Sequence, residues 1–254
     1  FEANVDEFLI GQPGIDGEAT ATVRLAGSNT IRANTITMGN SLNHGNTGVE
    51  SLLLGTANTI QADNIYVGEK KTSAALRFDT GLTNPSVTIA DLAGTGGANL
   101  YAGYNHVGTG TNPTGTVDFT AGTVNATLGT VVLGRHDGGG GSGTGELKMA
   151  AGTITAGSVT LGETHSGGSA TGVITMTGGT FHVTGNVSDG GGTSTVNVQG
   201  GSMSVDGNLT VDTVNVGLAS SAGTLNLGGA TNTIGSLKFL SRSSSATNLV
   251  TLGA

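Results

Sequence analysis

Four histidines, His44, His106, His136 and His165, sit in polar stretches of similar make-up, GNSLNHGNTG from Gly39 and GRHDGGGGSGTG from Gly134 among them. Imidazole nitrogens ligate divalent metals. Two or three on one edge, with Asp137 or Glu163 beside them, are the candidate metal site of this chain. The competing reading is solvated loop histidines, because their offsets from the preceding glycine differ.

A second set is Arg77, Asp118 and Lys148, which recur at one place in successive segments. A polysaccharide-active enzyme would need carboxylates held close together with shifted pKa values. A surface charge ladder, worth roughly 0.2–1 kcal/mol per pair, needs only this spacing. The chain carries 9 basic and 17 acidic residues, spread thinly, so no catalytic residue is assigned and the chain reads as non-enzymatic. Tyr66 and Tyr101 are expected to face outward and stack, with sugar binding as the alternative. The calcium nonapeptide, EF-hand loop, P-loop, GxSxG and HExxH motifs are absent, and no cofactor is expected. The N-x-S/T triplets at Asn125, Asn186 and Asn208 fall in or beside expected strands and read as chance matches.

The elements that must carry these residues are short and apolar at every second position. Gly is present 47 times and Cys not at all, which disfavours helix interiors and excludes disulfides and thiolate metal sites. The balance of −8 leaves no basic footprint for nucleic acid, and no stretch is apolar enough for a membrane span. The chain opens on Phe1, so a processed or excerpted chain is expected.

Apolar pairs open each unit: Val23/Leu25, Leu52/Leu54, Leu76/Phe78, Val117/Phe119, Leu147/Met149, Ile174/Met176, Val196/Val198 and Leu225/Leu227, with Val250/Leu252 beginning another. Their separations, mostly about 25 to 30 residues, lie in the range of solenoid repeats. Most units hold three such pairs, such as Leu147/Met149, Ile154/Ala156 and Val159/Leu161. Period two marks a strand with one inward face. Val214/Val216 is an extra pair without a place. The pattern predicts an all-β, right-handed parallel β-helix (a β-solenoid), with three short strands per coil and about eight coils. Residues 1–21 are expected to be an N-terminal arm or cap, and 22–254 the repeats.

The segments GTFHVTGNV (Gly179–Val187), GGSMSVDGNLTV (Gly200–Val211) and GTLNLGGATNTIGSLKF (Gly223–Phe239) resemble the Gly/Thr-rich repeats of bacterial extracellular β-helix proteins. The nearest resemblance is to autotransporter-associated β-strand repeats and passenger-like solenoids. It implies secretion or display at a bacterial cell surface, and it carries over no catalytic residue.

The ends complete the expectation. An open last coil is a template for another strand. Phe1, Val5, Phe8, Leu9 and Ile10 at one end, and Leu249, Val250 and Leu252 at the other, are the candidate subunit interface. The expected function is an extracellular structural protein whose copies join head to tail into a filament or matrix. The alternative is a surface adhesin or passenger domain binding glycans or host surfaces. A polysaccharide-active enzyme ranks third.

Overall fold

Alternating apolar residues separated by Gly, Thr, Ser and Asn pack on a pleated surface better than in a helix. The computed structural model is all-β, with no helix among the described residues. It describes residues 1–11, 20–41, 48–106, 112–165, 167–219, 221–240 and 247–253. The strands begin with β1 (Glu2–Ile10), β2 (Thr22–Arg24), β3 (Ser28–Ser41), β4 (Val49–Leu54), β5 (Ala57–Lys70) and β6 (Ser73–Phe78). They continue with β7 (Ser86–Ala90), β8 (Ala98–Asn105), β9 (Thr114–His136), β10 (Ser142–Thr164) and β11 (Ser169–Val183). The last are β12 (Val187–Asp189), β13 (Thr193–Val205), β14 (Thr210–Val216), β15 (Gly223–Leu227), β16 (Thr233–Phe239) and β17 (Leu249–Leu252).

Every pairing between these strands is parallel. The pairings form three ladders. In the first, Val23, Leu52, Leu76, Val117, Leu147, Ile174, Val196, Val214 and Leu237 are successive register partners. In the second, Ala3, Ile31, Ile60, Ile89, Ala126, Ile154, Phe181, Met203, Leu225 and Val250 follow one another. The third runs Phe8, Ile36, Ile65, Leu100, Val131, Val159, Val187 and Leu209. These columns, with their partners two residues on, form one buried apolar cluster along the chain. Each fully buried aliphatic or aromatic side chain contributes about 1.5–3 kcal/mol.

Three details go beyond the sequence expectation. The strands are not all short: β9 and β10 each run 23 residues and contribute to all three ladders. Their hydrogen bonding continues around the bends, because each bend is matched by one in the neighbouring repeat. Second, Leu225/Leu227 and Val250/Leu252 do not open units; in the second ladder Leu225/Leu227 pairs on Met203/Val205 and Val250/Leu252 on Leu225/Leu227. The extra pair, Val214/Val216, is the one that stacks on Val196/Val198. No long polar loop separates Val211 from Val214, so the repeat is only 18 residues long at that point, as the Val196 to Val214 pairing counts it. Third, Ala126 and not Val124 faces Ile154, since Met149 to Ala151 spans what Phe119 to Thr123 spans next door.

The bend after the third ladder has one recurring device. Gly39, Gly68, Gly103, Gly134 and Gly162 follow its last inward residue, with φ of 73, 74, 69, 70 and 65°. A Cβ on Gly134 would also run into the carbonyl of Thr171. Both the left-handed backbone and the close approach of the next repeat demand glycine there.

Residues 2–10 are a strand of the same stack. β1 pairs residue by residue with β3, from Glu2 opposite Thr30 to Ile10 opposite Met38.

Candidate functional site

The bend after the third ladder brings together most of the polar residues capable of chemistry. Glu69, Tyr104, Arg135 and Glu163 are successive register partners just past the bend. The Arg135 guanidinium donates to Asp137 Oδ1 at 2.7 Å, lies 3.3 Å from Glu163, and sits 4.8 Å from the Tyr104 ring centre. The Tyr104 hydroxyl donates to Asp137 at 2.7 Å. Burial pushes the Asp137 carboxyl up, but the Arg135 and Tyr104 hydrogen bonds outweigh it and hold the group below the usual carboxylate range. Burial followed by the Asp137 bond drives the Tyr104 phenol well up. Burial raises Glu69 and lowers His106, whose neighbour Lys70 adds to the effect.

The cluster includes or adjoins histidines expected at a metal site. Among the described residues no three His, Asp or Glu side chains come together as a metal-binding group. His44 lies outside the described residues. His106, Asp137 and His165 follow one another past the third ladder, with the Asp137 N–H on the Asn105 carbonyl and the His165 N–H on the His136 carbonyl. His165 bonds Glu163 at 2.9 Å, and His106 lies 3.6 Å from Glu69. His136 precedes Asp137 by one residue. Strand alternation turns its ring the other way, to full burial against Gly168.

The charge ladder is only partly a ladder. Arg77, Asp118 and Lys148 are register partners, as expected. Two of the side chains bond elsewhere: Asp118 accepts from the Thr120 N–H and hydroxyl, and Lys148 pairs with Glu146 at 2.8 Å. Arg24 pairs with Asp79. Beside Arg77 and Asp118, the segment from Asp79 to Pro85 walls an open cleft of about 270 Å³. Asp79 sits in it with its carboxyl lowered: desolvation works against this, and the Thr80 N–H and Arg24 overcome it.

A buried polar feature escaped the sequence reading. Asn58 accepts from Gly55 N–H and Asn29 at 2.9 Å each, and donates to the carbonyls of Gly55 at 2.8 Å and Ser86 at 2.9 Å. Asn29 donates to the Ala26 carbonyl at 2.7 Å. Each side chain satisfies backbone groups freed at the bend into the second ladder. Part of the signal was available: Asn-Thr-Ile recurs at 29–31, 34–36, 58–60 and 232–234, although Asn34 is exposed.

The remaining candidates are the two end faces. At one, Val5 stands over Ala33 in the second ladder and Phe8 and Ile10 over Ile36 and Met38 in the third. Ile10 is buried, Phe8 packs on the core and meets Phe1 edge to face at 6.4 Å, while Phe1, Val5 and Leu9 are exposed. At the other face, Val216 is fully buried but its register partner Phe239 is 55% exposed. Likewise Leu227 is 2% exposed and Leu252, its partner, 70%. Leu237 and Leu249 are exposed too, and Ile234 and Val250 are half-covered. The sequence reading named Leu249, Val250 and Leu252 but missed Ile234, Leu237 and Phe239, because it read the units from the wrong ladder. Among the described residues, no strand pairs on the outer edges of β1, β16 or β17.

No family model, no curated protein and no solved structure matches the chain.

Proposed function

We propose that the chain is a right-handed parallel β-helix with three strands to each coil. We further propose that it acts as a structural subunit outside a bacterial cell, joining head to tail with copies of itself into a filament or matrix. The observation that carries this reading is the contrast within single columns. Side chains buried throughout the stack, at Val216 and Leu227, are followed by Phe239 and Leu252 uncovered at its face. The opposite face is uncovered at Val5. The two faces are cut across the same columns, so each presents the backbone spacing and apolar rows that the other continues. Covering such a side chain is worth about 1.5–3 kcal/mol. Ile234, Leu237 and Phe239 together therefore reach the lower part of the about 4–15 kcal/mol that association costs in lost freedom. The contact is heterologous and does not close, which gives filaments rather than rings.

The extracellular setting follows the resemblance to Gly/Thr-rich surface repeats. A second reading, a surface adhesin that takes a glycan, is favoured by the cleft beside Arg77 and Asp118. Asp79 in that cleft has its carboxyl lowered, by the Thr80 N–H and Arg24 acting against desolvation, whereas a general acid in glycoside cleavage needs a raised one.

The test is electron microscopy and sedimentation of the 254-residue chain over a range of concentration. Rods whose length grows with concentration support the filament, and Leu237→Asp with Phe239→Asp should abolish them. A chain that stays monomeric at every concentration overturns it.

A further inference from the structure

The two end faces overlap by one strand. Following the chain, β1 enters in the second ladder at Ala3 and Val5, passes to the third at Phe8 and Ile10, and the first ladder begins at Val23. At the far face, Ile234 ends the third ladder, Leu237 and Phe239 end the first, and then β17 adds one more second-ladder strand on β15. A neighbour placed to continue the third and first ladders sets its Ile10 over Ile234 and its Val23 over Leu237. Its Ala3 and Val5 then fall on Leu225 and Leu227, where β17 already lies.

We propose that end-to-end joining, which rests on the function proposed above, proceeds by strand replacement: β17 leaves β15, and residues 2–5 of the next copy take its place. The alternative keeps β17 and stacks β1 upon it. That leaves a gap one strand spacing deep, about 4.8 Å, on the other two ladders. Ile234, Leu237 and Phe239 would then face a void and lose their contact partners. Replacement exchanges one parallel second-ladder pairing for another of the same register and fills all three columns. The strand that moves is the weaker one. β17 pairs over four residues, from Leu249 to Leu252, and most of it is exposed. β1 pairs with β3 from Glu2 to Ile10, and the Phe1 nitrogen donates to the Ser28 carbonyl at 2.8 Å. Asn248, just before β17, donates to the Val216 carbonyl at 2.9 Å and accepts from the Gly223 N–H at 3.2 Å. Those bonds hold the strand down until a neighbour displaces it.

The chain has no cysteine, so introduced pairs report on a single contact. Under replacement Asn4 of one copy lies beside Asn226 of the next; under simple stacking it lies beside Thr251. Asn4→Cys with Asn226→Cys is expected to cross-link filaments into covalent oligomers on oxidation, and Asn4→Cys with Thr251→Cys is not. A chain shortened to residues 1–246 is expected to form filaments still. The opposite cross-linking pattern, or filaments in which neither pair links, overturns the replacement and leaves the filament standing. Absence of filaments in the unmodified chain overturns both.

Discussion

Tyr66 and Tyr101, register partners in the third ladder, lie face to face with ring centroids 4.8 Å apart and planes 12° apart. Tyr104 sits 6.4 Å from the first and 6.2 Å from the second. Each ring turns a flat side to the other, the side a sugar platform would have to offer. The stack therefore works as a tie between repeats. A double-mutant cycle with Tyr66→Ala and Tyr101→Ala, read by urea unfolding, should return a coupling of about 0.5–1.5 kcal/mol beyond lost burial. A coupling near zero would refute the tie.

Gly134 tests the bend. Its φ is 70° and the Thr171 carbonyl occupies the space a methyl would need. Gly134→Ala should cost more than about 2 kcal/mol, or prevent soluble expression. Gly140, with open space around it, is the control, and its alanine variant should stay within about 0.5 kcal/mol of the parent in thermal melts.

Asn58 tests the buried amide. Alanine there strands the Gly55 N–H and the carbonyls of Gly55 and Ser86 inside the fold. Each unsatisfied group costs about 1–3 kcal/mol. Asn58→Ala should therefore destabilise by more than Asn226→Ala, whose amide reaches only the Ser202 hydroxyl at 3.5 Å. Equal losses in chemical denaturation would show that the amide is dispensable.

Phe181 tests the core. It is fully buried, between Ile154 and Met203 in the second ladder. Phe181→Ala should cost about 3–5 kcal/mol, seen as a lower urea midpoint. Because each repeat touches only its neighbours, hydrogen exchange should rise most in β10, β11 and β13.

Asp137 sets a pH dependence. Its folded carboxyl lies below the ordinary value, so its contribution is fully present above the unfolded pKa, near 3.9, and is lost as pH falls through the lowered folded value. Asp137→Asn should melt below the parent at pH 7, and the difference in Tm should shrink as pH falls below about 4. His106 acts in the same sense at milder acidity. With its folded pKa lowered by burial, it withdraws stability as pH falls through about 6.5; the Asp137 charge opposes that lowering, so the test reads the gap in Tm below about pH 5, away from that window. A gap in Tm that stays constant down to pH 2 would rule out this account.

The inward residues were legible from the chain because the period is two and the core is thin. Ile31/Ala33, Ile36/Met38, Leu147/Met149 and Val159/Leu161 are buried in one cluster where alternation set them. The outward stacking of Tyr66 and Tyr101 was legible for the same reason: they stand between inward neighbours one repeat apart. His136 was not. Composition cannot tell which way a residue turns once the chain leaves a regular strand, and one residue of phase separates its buried ring from exposed His165.

Sequence alone determined that the chain is all-β, which positions face the core, and which kinds of residue stand at the bends. These follow from local sterics and from the two-residue period, and neither needs a partner. Tertiary structure decided which pair stacks on which, because every ladder accepts the same Val, Ile and Leu. Only the length of the intervening bends separates Val214 on Val196 from Leu225 on Met203. The same ambiguity of register is why the uncovered Phe239 and Leu252 became visible as end faces only in three dimensions.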